Sequence, residues 1–200
     1  MITLTGISKR YSRDSAALDD VHLHIPAGEF VSIVGQSGSG KTTLVKLLIA
    51  EERPTAGSIQ IDGWDITRIP YRDIPYLRRQ VGVIFQDFKL LPDRSVKDNM
   101  LFVLRATGWH EKDAMEHKID EVLDKVGMKE YAHKMPHQIS GGEQQRVGIA
   151  RALAVEPEVL LLDEPFSALD AKTTAELHDD IINIWRETKK TIIMLETMVL

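Results

Sequence analysis

Cysteine is absent from the 200-residue sequence, which excludes disulfide frameworks, thiolate zinc sites and cysteine nucleophiles together and is compatible with a reducing cytosol. Basic charge is not in surplus either. There are 25 Lys and Arg against 30 Asp and Glu, a formal net charge of -5, so beyond a local spot at Arg72, Arg78 and Arg79 the chain carries no nucleic-acid footprint, and no nucleic-acid partner is expected. No apolar run approaches the about 18 residues that a spanning helix needs. The run Val159 to Leu162 is strand-sized, so the chain is not expected to cross a membrane itself. The first residues, MITLTGISKRY, alternate in the manner of a strand and lack the apolar stretch of a signal peptide, so export is not expected. What this length does allow is one domain with a core of its own, needing neither disulfide nor structural metal.

Residues 2 to 34 read as short strands, ITL, VHLHI and EFVSIV, separated by turn chemistry at Ser12 to Ser15 and at Pro26, Ala27 and Gly28. Thr42 to Ala50 has helical spacing at Leu44, Leu47 and Leu48. Ser58 to Ile61 and Val81 to Phe85 read as further strands, with Ile74, Pro75 and Tyr76 breaking any long helix between them. From about 92 to 138 the pattern turns amphipathic and helical, with Met115, Ile119, Val122, Leu123 and Val126 on one face, and residues 87 to 138 are expected to form a helical subdomain. Ser140 to Ala154, Val159 to Asp163, Lys172 to Glu187 and Thr191 to Leu195 then alternate helix, strand, helix, strand. That alternation implies a parallel sheet and an α/β fold. The sequence stops at Leu200 just after a strand, where an α/β domain ordinarily adds covering elements, so the usual C-terminal elements are expected to be missing from a single domain spanning 1 to 200.

Two glycine-bearing helix starts carry the chemistry. GQSGSGKT (Gly35 to Thr42) fits the pattern G-x-x-x-x-G-K-S/T between an apolar strand and a helix. Gly38 and Gly40 let the backbone around Ser37 and Ser39 curl so that N–H groups point at phosphate oxygens, with the helix dipole adding positive potential. Lys41 then reaches the β and γ phosphates, and Thr42, followed by Thr43, offers a hydroxyl to Mg²⁺. The bland alternative is an ordinary Gly-Ser turn before a helix; in a chain this long the pattern arises by chance about one time in a hundred, and the strand and helix flanks lower that further. In VLLLDE (Val159 to Glu164), Asp163 ends a buried strand at the sheet edge where α/β folds bind ligands, which makes it a metal ligand. Glu164 points differently and is a candidate base for water near the γ phosphate. A plain polar strand exit would also produce this pair; its company with the phosphate loop favours function. In ISGGEQQR (Ile139 to Arg146), Ser140 and Glu143 form a capping box, a sufficient structural reason for both. Gly141 and Gly142 are not explained by capping, and a closely approaching phosphate is the natural candidate. ATP is the implied ligand.

These segments resemble the nucleotide-binding domain of ATP-binding cassette (ABC) proteins over nearly the whole chain. The resemblance implies a P-loop core with a mostly parallel sheet, an antiparallel β portion and a helical subdomain, and it implies ATP hydrolysis with Mg²⁺. In that family the motif similar to ISGGEQQR binds the γ phosphate of ATP held by the opposite subunit, so a homodimer closed around two nucleotides is implied. Residue by residue, the resemblance assigns Tyr11 to stacking on adenine, Gln86 to sensing magnesium and water, and Asp170 to coupling the two sites. Without it, Tyr11 reads as a surface aromatic, Gln86 as a strand end and Asp170 as a helix cap. EERPTAG, IPYLRR, FQDFKLLP and ISGGEQQRVGIARAL are similar to the FtsE type, the cell-division ATPase that pairs with the membrane protein FtsX. By contrast, DEPFSALDAKTTAELHDDIINIWRETKKT looks closer to import ATPases of the nitrate, sulfonate and taurine type, which work with a permease. Either type implies a cytoplasmic protein held on the inner face of the membrane by an integral subunit, with Phe88, Leu90 and Leu91 as candidate contacts or as core. The pattern departs at the end: where the family has a histidine after the last strand, this chain has Leu195, Glu196 and Thr197, and His178 lies far from that register. The hydrolysis rate is therefore open, and an ATP-binding switch with little turnover is an alternative. A non-transport ABC protein is another, although those relatives usually carry two such domains or a long coiled coil.

Overall fold

The computed structural model describes residues 1–12 and 15–198; the middle of the turn expected at Ser12 to Ser15 and the end at Leu200 lie outside these. Two sheets form. The first is antiparallel, in the order β2-β1-β4-β5, from β1 (Ile2–Ser12), β2 (Ser15–Ile25), β4 (Ala56–Ile61) and β5 (Trp64–Asp65). The second is wholly parallel, in the order β3-β8-β7-β6, from β3 (Phe30–Gly35), β6 (Val81–Ile84), β7 (Val159–Asp163) and β8 (Thr191–Thr197). Strands β1 and β2 run far beyond the short ITL and VHLHI segments, because pairing across the hairpin tolerates several register shifts in β1.

Period-two alternation in β7 and β8 divides the core. Val159 and Leu161 of β7 and Ile193 and Leu195 of β8 face the antiparallel sheet and helix α1 (Lys41–Leu48). Leu160, Leu162, Ile192 and Met194 face the other way, onto the helices α3 (Val96–Ala106), α4 (Lys112–Lys125), α5 (Gly141–Ala154) and α6 (Ala171–Thr188). A strand buried on both faces must read as a continuous apolar run, which is why VLLLD carries no polar residue until its last position. All five residues of the apolar face expected around α4, from Met115 to Val126, are buried in this second cluster.

Helix starts follow local chemistry. Ser95 caps α3 and Asp170 caps α6 through side-chain oxygens that accept N–H bonds of the first turn. Ile74–Pro75–Tyr76 does not merely interrupt helix. It opens the short helix α2 (Ile74–Gln80), since a proline in the first turn forgoes an N–H that would have no partner there.

Candidate active site

The carboxyl ends of the parallel strands gather the chemistry. Register pairs Gly35 of β3 with Thr197 of β8, Asp163 of β7 with Leu195 of β8, and Ile84 of β6 with Leu162 of β7, so the residues following each strand emerge along one edge. Between β3 and α1 the chain turns through Gly38 (φ 78°) and Gly40 (φ 92°), both left-handed. A Cβ on Gly40 would stand 2.3 Å from the Ala17 carbonyl oxygen, so this position admits no side chain. Because glycine is also the N-cap, no side chain caps α1, and its first N–H groups remain available to an anion.

Lys41 is buried, and its ammonium donates to the carbonyls of Gly35 and Gln36, each at 2.9 Å. It also pairs with Glu164 Oε1 at 3.4 Å. A buried cation needs such partners, and these ones hold the ammonium beside the loop. A cleft of about 330 Å³ opens here, lined by Ser37, Gly38, Gly40, Lys41, Thr42, Thr43, Gln86 and Glu164, with Ala17 at its rim. Gly35 and Ser39 shape the loop behind it, where the Ser39 N–H donates to the Gln36 carbonyl at 3.2 Å. Tyr11 is exposed at the end of β1. Its hydroxyl donates to Glu52 at 3.0 Å and lies 3.4 Å from the Thr43 hydroxyl, which sets its ring beside the first turn of α1.

Asp163 sits below the cleft with Oδ1 buried and, among the described residues, bonded to nothing. Burial, and then the charge of Glu164, pushes its carboxyl above the usual range, against the opposing influence of Lys41 and the Thr42 hydroxyl. An orphaned carboxylate oxygen beside a hydroxyl is a hard-oxygen donor set, and it fits Mg²⁺. Thr42 and Asp163 would hold the ion, and Gln86 lines the same cleft as Thr42. Glu164 adopts φ 48°, rare for a residue with a side chain, and two contacts from β8 hold it there. Its N–H donates to the Leu195 carbonyl at 3.0 Å, and the Thr197 hydroxyl donates to its Oε1 at 2.5 Å.

The second glycine motif is not brought to this cleft: Ser140, Gly141, Gly142 and Glu143 are absent from its lining. They open α5 as a capping box, with the Ser140 N–H donating to Glu143 Oε2 at 2.6 Å and the Glu143 N–H to Ser140 Oγ at 3.3 Å. Gly142 has a reason that sequence did not reveal. A Cβ there would meet Thr173 Cγ2 of α6 at 2.5 Å, so the close approach of α5 and α6 favours glycine on packing grounds. Asp170 is bonded within its own helix start, to the N–H groups of Lys172 and Thr173 and the Thr173 hydroxyl. His178 lies on α6 with its ring 6.3 Å from that of Phe166.

Two side chains of α5 bond the segments that follow two cleft residues. Gln145, fully buried, donates from Nε2 to the Pro165 carbonyl just after Glu164. Arg151 donates to the carbonyls of Phe88 and Lys89, just after Gln86, where both residues have positive φ. One helix thus holds the segments following the candidate base and the candidate sensor. Periodicity does not signal either contact, since both polar side chains lie in an otherwise ordinary helix.

A strand–glycine loop–helix cradle with paired acids at the end of β7, one strand beyond β8 in the same parallel sheet, defines a nucleotide-binding ATPase core of the P-loop kind. The chain belongs to the ABC transporter family, whose family model matches residues 18–167, and it is an ATP-binding subunit of the ABC type. Among curated proteins, it is 43% identical over 195 residues to the cell division ATP-binding protein FtsE of Mycobacterium tuberculosis, covering 97% of this chain and 84% of that protein. The methionine import ATP-binding protein MetN 2 of Yersinia pestis is 43% identical over 198 residues, covering 98% of this chain and 60% of that protein. Among solved structures, the ATP-binding cassette MJ0796, dimeric in a post-hydrolysis state with ADP and Pi, superposes with a TM-score of 0.86 at 33% identity, covering 98% of this chain and 88% of that one. The fold is accordingly that of ABC ATPases, with its parallel core, antiparallel sheet and helices.

Proposed function

We propose that this chain hydrolyses Mg²⁺-bound ATP at a site shared between two copies and thereby drives a membrane complex of the cell-division, FtsE-like kind. The observation that carries this reading is the cleft at the sheet edge, where Lys41, Thr42 and Glu164 converge while the Ser140 to Glu143 motif stays outside. Lys41 and the uncapped start of α1 supply positive potential for the phosphates, and Tyr11 flanks the place where the base would extend. Glu164 accepts a proton from water as the water oxygen bonds to the γ phosphorus and the bond to the β–γ bridging oxygen breaks, its electron pair leaving with ADP. Mg²⁺, held by Thr42, Asp163 and Gln86, would supply charge neutralisation at the phosphate oxygens.

A motif absent from its own chain's cleft is explained if Ser140, Gly141, Gly142 and Glu143 serve the nucleotide of a second copy. The dimeric state of MJ0796 supports that arrangement. FtsE proteins of three organisms match at 43% to 48% identity, which supports an FtsX-like integral partner and a place at the inner face of the membrane; an importer permease is the other partner to test. No helix of the described residues is long and apolar enough to span a membrane, in keeping with a separate membrane subunit. Helices α3 and α4 would form the subdomain that faces it.

The test is steady-state ATP turnover of the purified chain beside Glu164→Gln. Wild-type turnover at least about a hundredfold above that variant is expected, the loss that removal of a general base brings. Equal rates with ATP still bound would replace hydrolysis by a binding switch. Co-purification with an FtsX-like protein, as against a permease, decides between division and import.

A further inference from the structure

Strand β8 approaches Glu164 twice. The Leu195 carbonyl accepts its N–H at 3.0 Å, and the Thr197 hydroxyl donates to its Oε1 at 2.5 Å. The intervening Glu196 lines the same cavity but is engaged elsewhere, its Oε2 accepting a bond from Ser32 Oγ at 2.9 Å. Leu195 itself is fully buried and anchors the end of β8. Thr197 therefore stands on a fixed strand next to Gly35, where the phosphate loop begins, and shares a cavity with Ser37 and Glu164.

We propose that Thr197 is a positioning residue for the Glu164 carboxylate, an inference that rests on the hydrolytic reading above. The carboxylate has two competing attractions. Lys41, at 3.4 Å from the same Oε1, draws it toward the place the phosphates must occupy, while the hydroxyl of Thr197 holds that oxygen against β8. Both contacts fall on Oε1, which leaves Oε2 to accept the proton from water. Left-handed backbone at Glu164 aims the side chain in a direction that few residues can adopt, and the carbonyl of Glu164 is fixed in turn by the Ser167 hydroxyl at 3.0 Å. A base held at both ends spends less of its time misdirected, and misplacement by about 1 Å can cost up to about a hundredfold in rate.

Thr197→Val keeps the shape and removes the donor; Thr197→Ser keeps the donor. In steady-state ATPase assays, Thr197→Val is expected to lower kcat about tenfold with KM for ATP changed less than about twofold, while Thr197→Ser keeps at least about half of the wild-type kcat. Melting temperatures of both variants, measured alongside, separate a loss of fold from a loss of rate. Wild-type kcat in Thr197→Val overturns the inference, and so does an equal fall in both variants, which would mean packing rather than hydrogen bonding. Wild-type turnover no higher than that of Glu164→Gln overturns the hydrolytic reading itself and this inference with it, whereas clear wild-type turnover with Thr197→Val unchanged overturns this inference alone.

Discussion

Gly40 shows how one residue can serve backbone shape and binding together. Its φ of 92° suits glycine, and the Ala17 carbonyl closes the space where a side chain would begin. Gly40→Ala must both strain the backbone and push β2 away from the phosphate loop. The expected loss is about 1–3 kcal/mol of stability, the range for left-handed strain and a displaced neighbour, together with loss of measurable ATP binding. Urea unfolding and a nucleotide titration check the two parts; a stable variant that binds ATP normally would show that the loop can reshape freely. At this scale, legibility in sequence follows contact distance along the chain. The loop from Gly35 to Thr43 was readable because its spacing and the helix that follows lie within a few residues, whereas the Ala17 carbonyl against Gly40 and the Glu164 partner of Lys41 were not. Thr197 and Glu164 are 33 positions apart, and only the parallel register of β7 and β8 brings their side chains together. Asp163 stood out in sequence as the polar end of an apolar run, but its orphaned oxygen required the fold.

Helix α4 illustrates the scale of the element. Its amphipathic stripe was legible because a period of 3.6 puts Met115, Ile119, Val122 and Leu123 on one buried side. The boundaries of β1 and β2 were not, because bulged cross-strand pairing, a long-range property, decides where they end. On the outer side of α4, Glu121 bonds Lys118 at 2.6 Å and Lys125 at 2.8 Å, and Lys118 reaches on to Glu156 beyond α5. Lys118 and then Lys125 hold the Glu121 carboxyl down to about 2 from its usual 4.5. A folded pKa lowered in this way gives stability that is fully present above about 4.5 and is lost as pH falls through about 2. Because Glu121 is a third exposed, solvent screening keeps the contribution near or below about 1 kcal/mol. The stability difference between wild type and Glu121→Gln, from urea unfolding, should therefore be larger at about pH 7 than at about pH 3.5. A difference independent of pH would mean that the pair acts through packing and not charge.

For the whole molecule, the division of labour between the two glycine motifs makes a quantitative test possible. Lys41 lines the cleft, Ser140 is exposed on α5 and does not, and the proposed site takes the first from one copy and the second from another. Lys41→Ala homodimers would lack both nucleotide cradles, and Ser140→Arg homodimers would lack both closing motifs, so each alone should be inactive. Mixed and allowed to exchange, the two variants form heterodimers in which one site is doubly damaged while the other joins the intact cradle of the Ser140→Arg chain to the intact motif of the Lys41→Ala chain. With random pairing, half the dimers are mixed and each carries one of two sites, so activity should return to about a quarter of the wild-type level for independent sites in a two-fold dimer. If both sites must fire together, nothing returns, although sedimentation with ATP should still detect mixed dimers. If instead each chain were a complete catalyst, Ser140→Arg alone would keep substantial activity, since its own cleft from Ser37 to Thr43 is untouched, and mixing would give only the average of the two variants.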